Sequence, residues 1–138
     1  MNIDQINAYI GQPWLAGARG PDAWDCWGLL LHLQVKYFGH ALPELPTGDG
    51  QARAVYQGKL ACGAWQPVEQ PQHGDGVLMR GGDDPHVGVW LAPEGGGVLH
   101  AVRGAGVVWT RQSDLRRQGY SRVKFHRFHE LRDADPLP

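Results

Sequence analysis

The sequence predicts an α+β domain in which helices come first and an antiparallel sheet follows. Apolar residues recur with a helical period in the first forty residues, whereas from residue 77 onward they stand in short β-rich runs. This order is typical of helices packed on one sheet. A chain of 138 residues is most simply one domain, which we predict over residues 1–132 with a loose tail at 133–138.

The predicted helices differ in how much of their surface is apolar. A first short helix can be capped by Asn2 or Asp4. The stretch Cys26–Phe38 is apolar around most of its circumference, which predicts a buried helix, and Gly39 suits its C-terminal end. A shorter and weaker helix is predicted over residues 47–57.

The second half of the chain predicts about five strands. Glycine, proline or charged clusters separate the runs, as expected for hairpin connections. The predicted strands are Val77–Arg80, His86–Leu91, Val98–Val102, Val107–Thr110 and Val123–Phe128.

Composition excludes several classes of protein. The net charge of −1 gives no general attraction to nucleic acid or to an anionic membrane, and no window approaches the ~18 apolar residues of a membrane span. Residues 103–132 hold a local basic excess, which indicates either a solvated sheet edge or a site for an acidic partner.

The N-terminus lacks a signal-peptide pattern, so we expect synthesis in the cytoplasm without export by the usual route. Cys26 and Cys62 are expected to be free thiols.

The start of the buried helix is the first candidate site. Asp25 can cap the helix, which would leave Cys26 at the positive end of its dipole, where a thiol pKa of ~8.5 can fall to between ~3.5 and 7.5. Amide groups there can also hold an oxyanion. Gly28 indicates a close approach by substrate or by backbone. The alternative is that Cys26 is a small buried apolar residue.

Two strand histidines offer a base for that cysteine. His86 shares a strand face with Gly88, and His100 lies on the next predicted strand. If Gly88 or Trp90 lies opposite His100, the two imidazoles can meet diagonally, with His86 as base and His100 orienting its second ring nitrogen. A register slip of one residue would separate them. Zinc ligation by the cysteine and both histidines is a further alternative, although zinc-finger spacing is absent.

Four segments resemble the ordered motifs of the NlpC-type cysteine peptidases, which are papain-like bacterial cell-wall hydrolases. They are residues 25–29 (DCWGL), 74–79 (GDGVLM), 86–90 (HVGVW) and 98–101 (VLHA), and the resemblance spans about residues 3–128. It implies a papain-like α+β fold with Cys26 as nucleophile, His86 as base and His100 as the orienting third residue. It also implies that the substrate is a peptidoglycan stem peptide, cut between D-glutamate and a diamino acid, with no metal or organic cofactor.

The chain departs from the usual pattern of that family at two tryptophans. Trp27 follows the cysteine where most cell-wall members have serine, and Trp14 stands where tyrosine is usual. Residues 11–28 are similar to the phage and prophage branch of the family, which implies phage tail proteins as partners and a location in the virion tail. We expect Asp25, Gly28 and three tryptophans at the substrate cleft, although a core role is equally open for Trp14, Trp27 and Trp90. The rival hypothesis is a tail-tip assembly subunit with little or no hydrolytic turnover.

Overall fold

The computed structural model describes residues 1–40, 65–81 and 84–128. These residues form two helices, α1 (Ile3–Tyr9) and α2 (Cys26–Phe38), and six strands. The strands are β1 (Trp65–Val68), β2 (Gly76–Gly81), β3 (Asp84–Leu91), β4 (Gly97–Val102), β5 (Gly106–Arg111) and β6 (Tyr120–Phe128). The α+β prediction is therefore confirmed.

Capping residues fix both helix starts. The Asn2 side chain accepts from the Gln5 amide while the Gln5 side chain accepts from the Asn2 amide, a reciprocal capping box that sets the first residue of α1. The bounds of α2 are those predicted, with Asp25 as its N-cap. Gly39 ends α2 with φ of 69°, a left-handed conformation that glycine adopts without steric cost.

All neighbouring strands are antiparallel, in the order β1-β6-β2-β3-β4-β5. Side chains alternate between the two faces of the sheet, and each face has its own apolar cluster. The larger cluster joins α1 and α2 to alternate residues of β3 and β4, among them Val87, Val89 and Leu99. The smaller one, which we call the outer cluster, consists of the buried residues Val77, Met79, Val98 and Leu115.

The sheet has one strand more than expected, because β1 has no strand-like pattern. Its four residues include Pro67, which lacks an amide hydrogen and so suits an edge strand. β1 is indeed at the edge of the sheet and pairs only with β6. The predicted helix over residues 47–57, Cys62 and the predicted tail at 133–138 lie outside the described residues.

One helix position differs from the predicted apolar face. Val35 is 52% exposed, whereas its polar neighbour Gln34 is fully buried. Gln34 donates to the Gly74 carbonyl at 2.7 Å and contacts His40 Nδ1 at 2.6 Å. These bonds anchor the end of α2 to the turn before β2. Within the described ranges, neither helix has the length and apolar character needed to cross a membrane.

Candidate active site

Cys26 is the first residue of α2 and is partly exposed at the helix mouth. The preceding residue, Asp25, is 7% exposed, and both of its carboxylate oxygens accept hydrogen bonds. Oδ1 accepts from the Gly28 amide at 2.6 Å and from the Arg19 guanidinium at 2.7 Å, while Oδ2 accepts from the Gly17 amide at 3.1 Å. Asp25 therefore holds the loop before the helix to the helix mouth. Both oxygens of its carboxylate are bonded to protein donors.

The close approach at Gly28 comes from the backbone. A Cβ at this position would overlap the Ala18 carbonyl oxygen and lie 2.8 Å from Asp25 Oδ1. Glycine is therefore required for the loop before α2 to pack against the first helical turn. Because the Gly28 amide donates to Asp25, it is not a candidate oxyanion donor.

The two strand histidines meet in the predicted way. β3 and β4 pair with Trp90 opposite Val98, which sets Gly88 beside His100, and a Cβ on Gly88 would lie 3.0 Å from the His100 Cβ. Across this gap His86 Nε2 is 2.7 Å from His100 Nδ1. The bond uses one ring nitrogen of His86 and leaves Nδ1 as the nitrogen that can accept a proton from a thiol.

Burial keeps both imidazoles neutral at neutral pH. The pKa of His86 is lowered to about 4 by loss of hydration, although its side chain keeps some exposure. His100 is fully buried, and burial together with the neighbouring His86 lowers its pKa to about 3. A neutral imidazole is the form that a general base needs before reaction.

Tyr120 connects the histidine pair with the cysteine. Its ring stacks on His86 with centroids 5.2 Å apart and planes 18° apart, and it meets His100 edge-on at 5.4 Å. Burial raises the pKa of the Tyr120 phenol, and the charge of Cys26 raises it further, which indicates that the thiol is near this ring. Tyr120 thus packs against both imidazoles and borders the region of the Cys26 sulfur.

Two residues of this site, Tyr120 and Thr110, are not among those predicted from the sequence. His100 Nε2 is 2.9 Å from Thr110 Oγ1, and the threonine hydroxyl in turn donates to Gln118 Oε1 at 3.4 Å. Strand alternation and the pairing of β4 with β5 would have placed Thr110 on the face of His100. No local signal points to Tyr120, because its position depends on the pairing of β6 with β2.

The three tryptophans occupy different environments. Trp27 is 3% exposed and packs in the larger cluster, so of the two roles left open by the sequence it has the core role. Trp14 is partly buried against that cluster, and the Arg103 guanidinium lies 4.8 Å from its ring centroid. Trp90 packs on the outer cluster and donates its indole N–H to Gln112 at 2.9 Å.

Metal ligation receives no support from the geometry. Across residues 1–40, 65–81 and 84–128, no group of three or more His, Cys, Asp or Glu side chains is arranged to hold a metal ion. His86 and His100 use a nitrogen each to bond to one another.

Comparison with known proteins identifies the family and the fold of this chain. The NlpC/P60 family model matches residues 11–128. Among solved structures, the chain is similar to the crystal structure of the NlpC/p60 domain of peptidoglycan hydrolase SagA, with a TM-score of 0.57 and 20% sequence identity. The match covers 89% of this chain and 93% of the other. No significant match was found among curated proteins. Since the family model spans most of the sequence, the chain belongs to the NlpC/P60 family and shares its papain-like cysteine peptidase fold.

Proposed function

We propose that this protein is a cysteine peptidase that hydrolyses an amide bond in peptidoglycan stem peptides, with Cys26, His86 and His100 as its catalytic residues. The observation that carries the proposal is the 2.7 Å contact between His86 Nε2 and His100 Nδ1. That bond leaves the other nitrogen of His86 for a thiol, and Cys26 stands at the mouth of α2 near the ring that stacks on His86. A nucleophile, a base and an orienting group are the three parts that covalent catalysis requires.

The proposed reaction begins with attack of the Cys26 sulfur on the carbonyl carbon of the scissile amide. His86 Nδ1 takes the thiol proton, and backbone amides of the first turn of α2 stabilise the oxyanion. The tetrahedral intermediate collapses when His86 returns this proton to the leaving amine, and a thioester remains on Cys26. His86 then removes a proton from water, which attacks the thioester and releases the carboxylic acid and the thiol. His100 holds the imidazole throughout.

We further propose that the bond cut lies between D-glutamate and the diamino acid of the stem. This follows from the family resemblance of residues 25–29 and 86–90. Burial of Trp27 supports a working cleft, because an indole packed in the core does not crowd the substrate side. Crowding of the cleft by Trp27 would instead favour the rival hypothesis of an assembly subunit with little or no turnover.

We propose a phage tail as the setting of this activity, on the similarity of residues 11–28 to the phage and prophage branch. Particles released by the source strain and purified by density should then contain peptides of this chain, detected by mass spectrometry with the other tail proteins. Their absence from tail-bearing particles would contradict the tail assignment and leave the hydrolytic proposal intact.

The hydrolytic proposal is tested by incubating the purified protein with a panel of stem peptides and identifying new amine termini by mass spectrometry. Wild type should release a fragment with a free amine on the diamino acid, whereas Cys26→Ala should release none, because Ala has no nucleophile. A cut elsewhere in the stem would correct only the bond. Equal release by wild type and Cys26→Ala across the panel would refute the peptidase.

Alkylation gives a second readout that needs no substrate. The position of Cys26 at the helix mouth predicts that its thiol ionises more readily than an ordinary cysteine, since the helix dipole stabilises negative charge there. Peptide mapping of alkylated protein should show Cys26 reacting at lower pH than Cys62. The same pH dependence for both thiols would contradict a helix-mouth effect.

A further inference from the structure

The histidine pair continues into a longer chain of hydrogen bonds that ends at the protein surface. His86 Nε2 contacts His100 Nδ1 at 2.7 Å, and His100 Nε2 contacts Thr110 Oγ1 at 2.9 Å. The Thr110 hydroxyl donates to Gln118 Oε1 at 3.4 Å. His100 is 0% exposed and Thr110 2%, so the inner links of the chain are shielded from water, whereas Gln118 is exposed.

The direction of this chain determines where each proton lies. A carboxamide oxygen only accepts, so the hydroxyl proton of Thr110 points toward Gln118. The Thr110 oxygen therefore accepts from His100 Nε2–H. A neutral imidazole carries a single N–H, which leaves His100 Nδ1 as an acceptor, and His86 Nε2 must be the donor in the contact between the rings.

The direction of the chain decides whether Nδ1 of His86, the nitrogen not bonded to His100, is basic. With its proton on Nε2, neutral His86 has a lone pair on Nδ1 and can accept a proton there. With the chain reversed, His86 would carry its proton on Nδ1 and have no basic nitrogen to offer. The two directions thus correspond to a competent and an incompetent base.

We propose that Thr110 is a positioning residue which, through His100, fixes His86 in the tautomer with a basic Nδ1. This inference deepens the proposed peptidase function and rests on it for its catalytic meaning, but the tautomer itself is a property of the folded protein. Desolvation lowers the pKa of both imidazoles, in agreement with the neutral rings that the chain requires.

The decisive substitution is Thr110→Val, which keeps the shape of the side chain and removes the hydroxyl. His100 Nε2–H would then be buried without its acceptor, which disfavours that tautomer by roughly 10- to 100-fold. The proton of His100 should move to Nδ1 and that of His86 to its own Nδ1. We expect kcat/KM on stem peptides to fall by roughly 10- to 100-fold in step with the lost tautomer.

Two further variants separate this effect from a general loss of packing. Thr110→Ser keeps the hydroxyl and should retain the wild-type tautomer and kcat/KM within about threefold, because the same donor and acceptor remain. Ser113→Ala removes an exposed hydroxyl from the turn after β5 and should leave both quantities unchanged. Thermal unfolding of each variant gives the folded fraction by which rates are corrected.

The direct readout is the two-bond proton–nitrogen correlation spectrum of 15N-labelled protein at pH 7, with His86 assigned from a His86→Gln variant. Wild type and Thr110→Ser should show a protonated Nε2 on His86, and Thr110→Val a protonated Nδ1. If wild type is active and Thr110→Val keeps both its His86 tautomer and its kcat/KM, the proposal is overturned while the peptidase stands. If the tautomer moves as expected but no stem peptide is cut even by wild type, the peptidase fails and the tautomer relay stands.

Discussion

Replacing Asp25 separates a structural role at the helix mouth from a substrate-binding role. The carboxylate accepts from the Gly28 amide, the Gly17 amide and the Arg19 guanidinium, all at 3.1 Å or less. If these bonds are its purpose, Asp25→Ala should destabilise the whole domain, because the loop over residues 11–24 and the first turn of α2 are joined there. A substrate-binding carboxylate would instead affect KM and leave stability nearly unchanged.

The magnitude follows from the separate contacts. Loss of the N-cap to Gly28 costs about 1 kcal/mol, and loss of a charged acceptor for the Gly17 amide about 1.5 kcal/mol. The ion pair with Arg19, whose side chain is 30% exposed, adds about 1 kcal/mol. Asp25→Ala should therefore lower the free energy of unfolding by about 3–4 kcal/mol, a large part of the 5–15 kcal/mol typical of a domain.

Urea unfolding followed by circular dichroism measures this loss, with two variants as matched controls. Arg19→Met keeps the cap and removes only the ion pair, so it should cost about 1 kcal/mol. Asp25→Asn keeps one acceptor oxygen for Gly28 and loses the charge, so its cost should lie between the other two. A loss for Asp25→Ala no larger than that for Arg19→Met, together with a raised KM, would refute the structural role.

Two other substitutions test the buried histidines and the tight turn. Folding lowers the pKa of His86 and His100 below 6.5, so between pH 6.5 and 4 the unfolded chain binds more protons than the folded one. The free energy of unfolding should therefore fall by about 1.4 kcal/mol per pH unit for each ring as the pH drops from 6.5 toward 4. His100→Asn should reduce this slope in urea titrations at pH 7, 6 and 5 by about that amount, and an unchanged slope would contradict burial as its source. Gly28→Ala would gain up to about 1 kcal/mol from helix propensity alone, but overlap with the Ala18 carbonyl should instead destabilise the domain by about 2 kcal/mol or more. A more stable Gly28→Ala variant would show that the loop does not press on α2.

Local sequence signals were enough to predict the bounds of α2 and the position of Cys26 at its start. A capping aspartate, a long apolar run and Gly39 each act within a few residues of one another, and the observed bounds Cys26–Phe38 agree with them. The meeting of His86 with His100 was predicted only conditionally. Strand alternation predicts which residues of each strand share a face. Whether the two histidines meet depends on the register of β3 on β4, which the structure shows.

The features that the sequence did not reveal depend on contacts between distant parts of the chain. β1 owes its strand conformation to pairing with β6 rather than to its own residues. Tyr120 reaches His86 because β6 pairs with β2, which itself pairs with β3. Trp27 gave no indication of whether it faced cleft or core, because both environments accept an indole ring.

A histidine as the third residue changes what the base can do in the proposed reaction. A carboxylate in that place would carry a negative charge and stabilise an imidazolium, whereas neutral His100 supplies only a hydrogen-bond acceptor. His86 therefore stays neutral in the resting protein, in agreement with its lowered pKa. The proton that the leaving amine needs must then come from the Cys26 thiol through His86. Proton transfer in the proposed reaction therefore depends on the correct tautomer of His86. The buried chain through His100 to Thr110 is the part of the fold that can hold this tautomer.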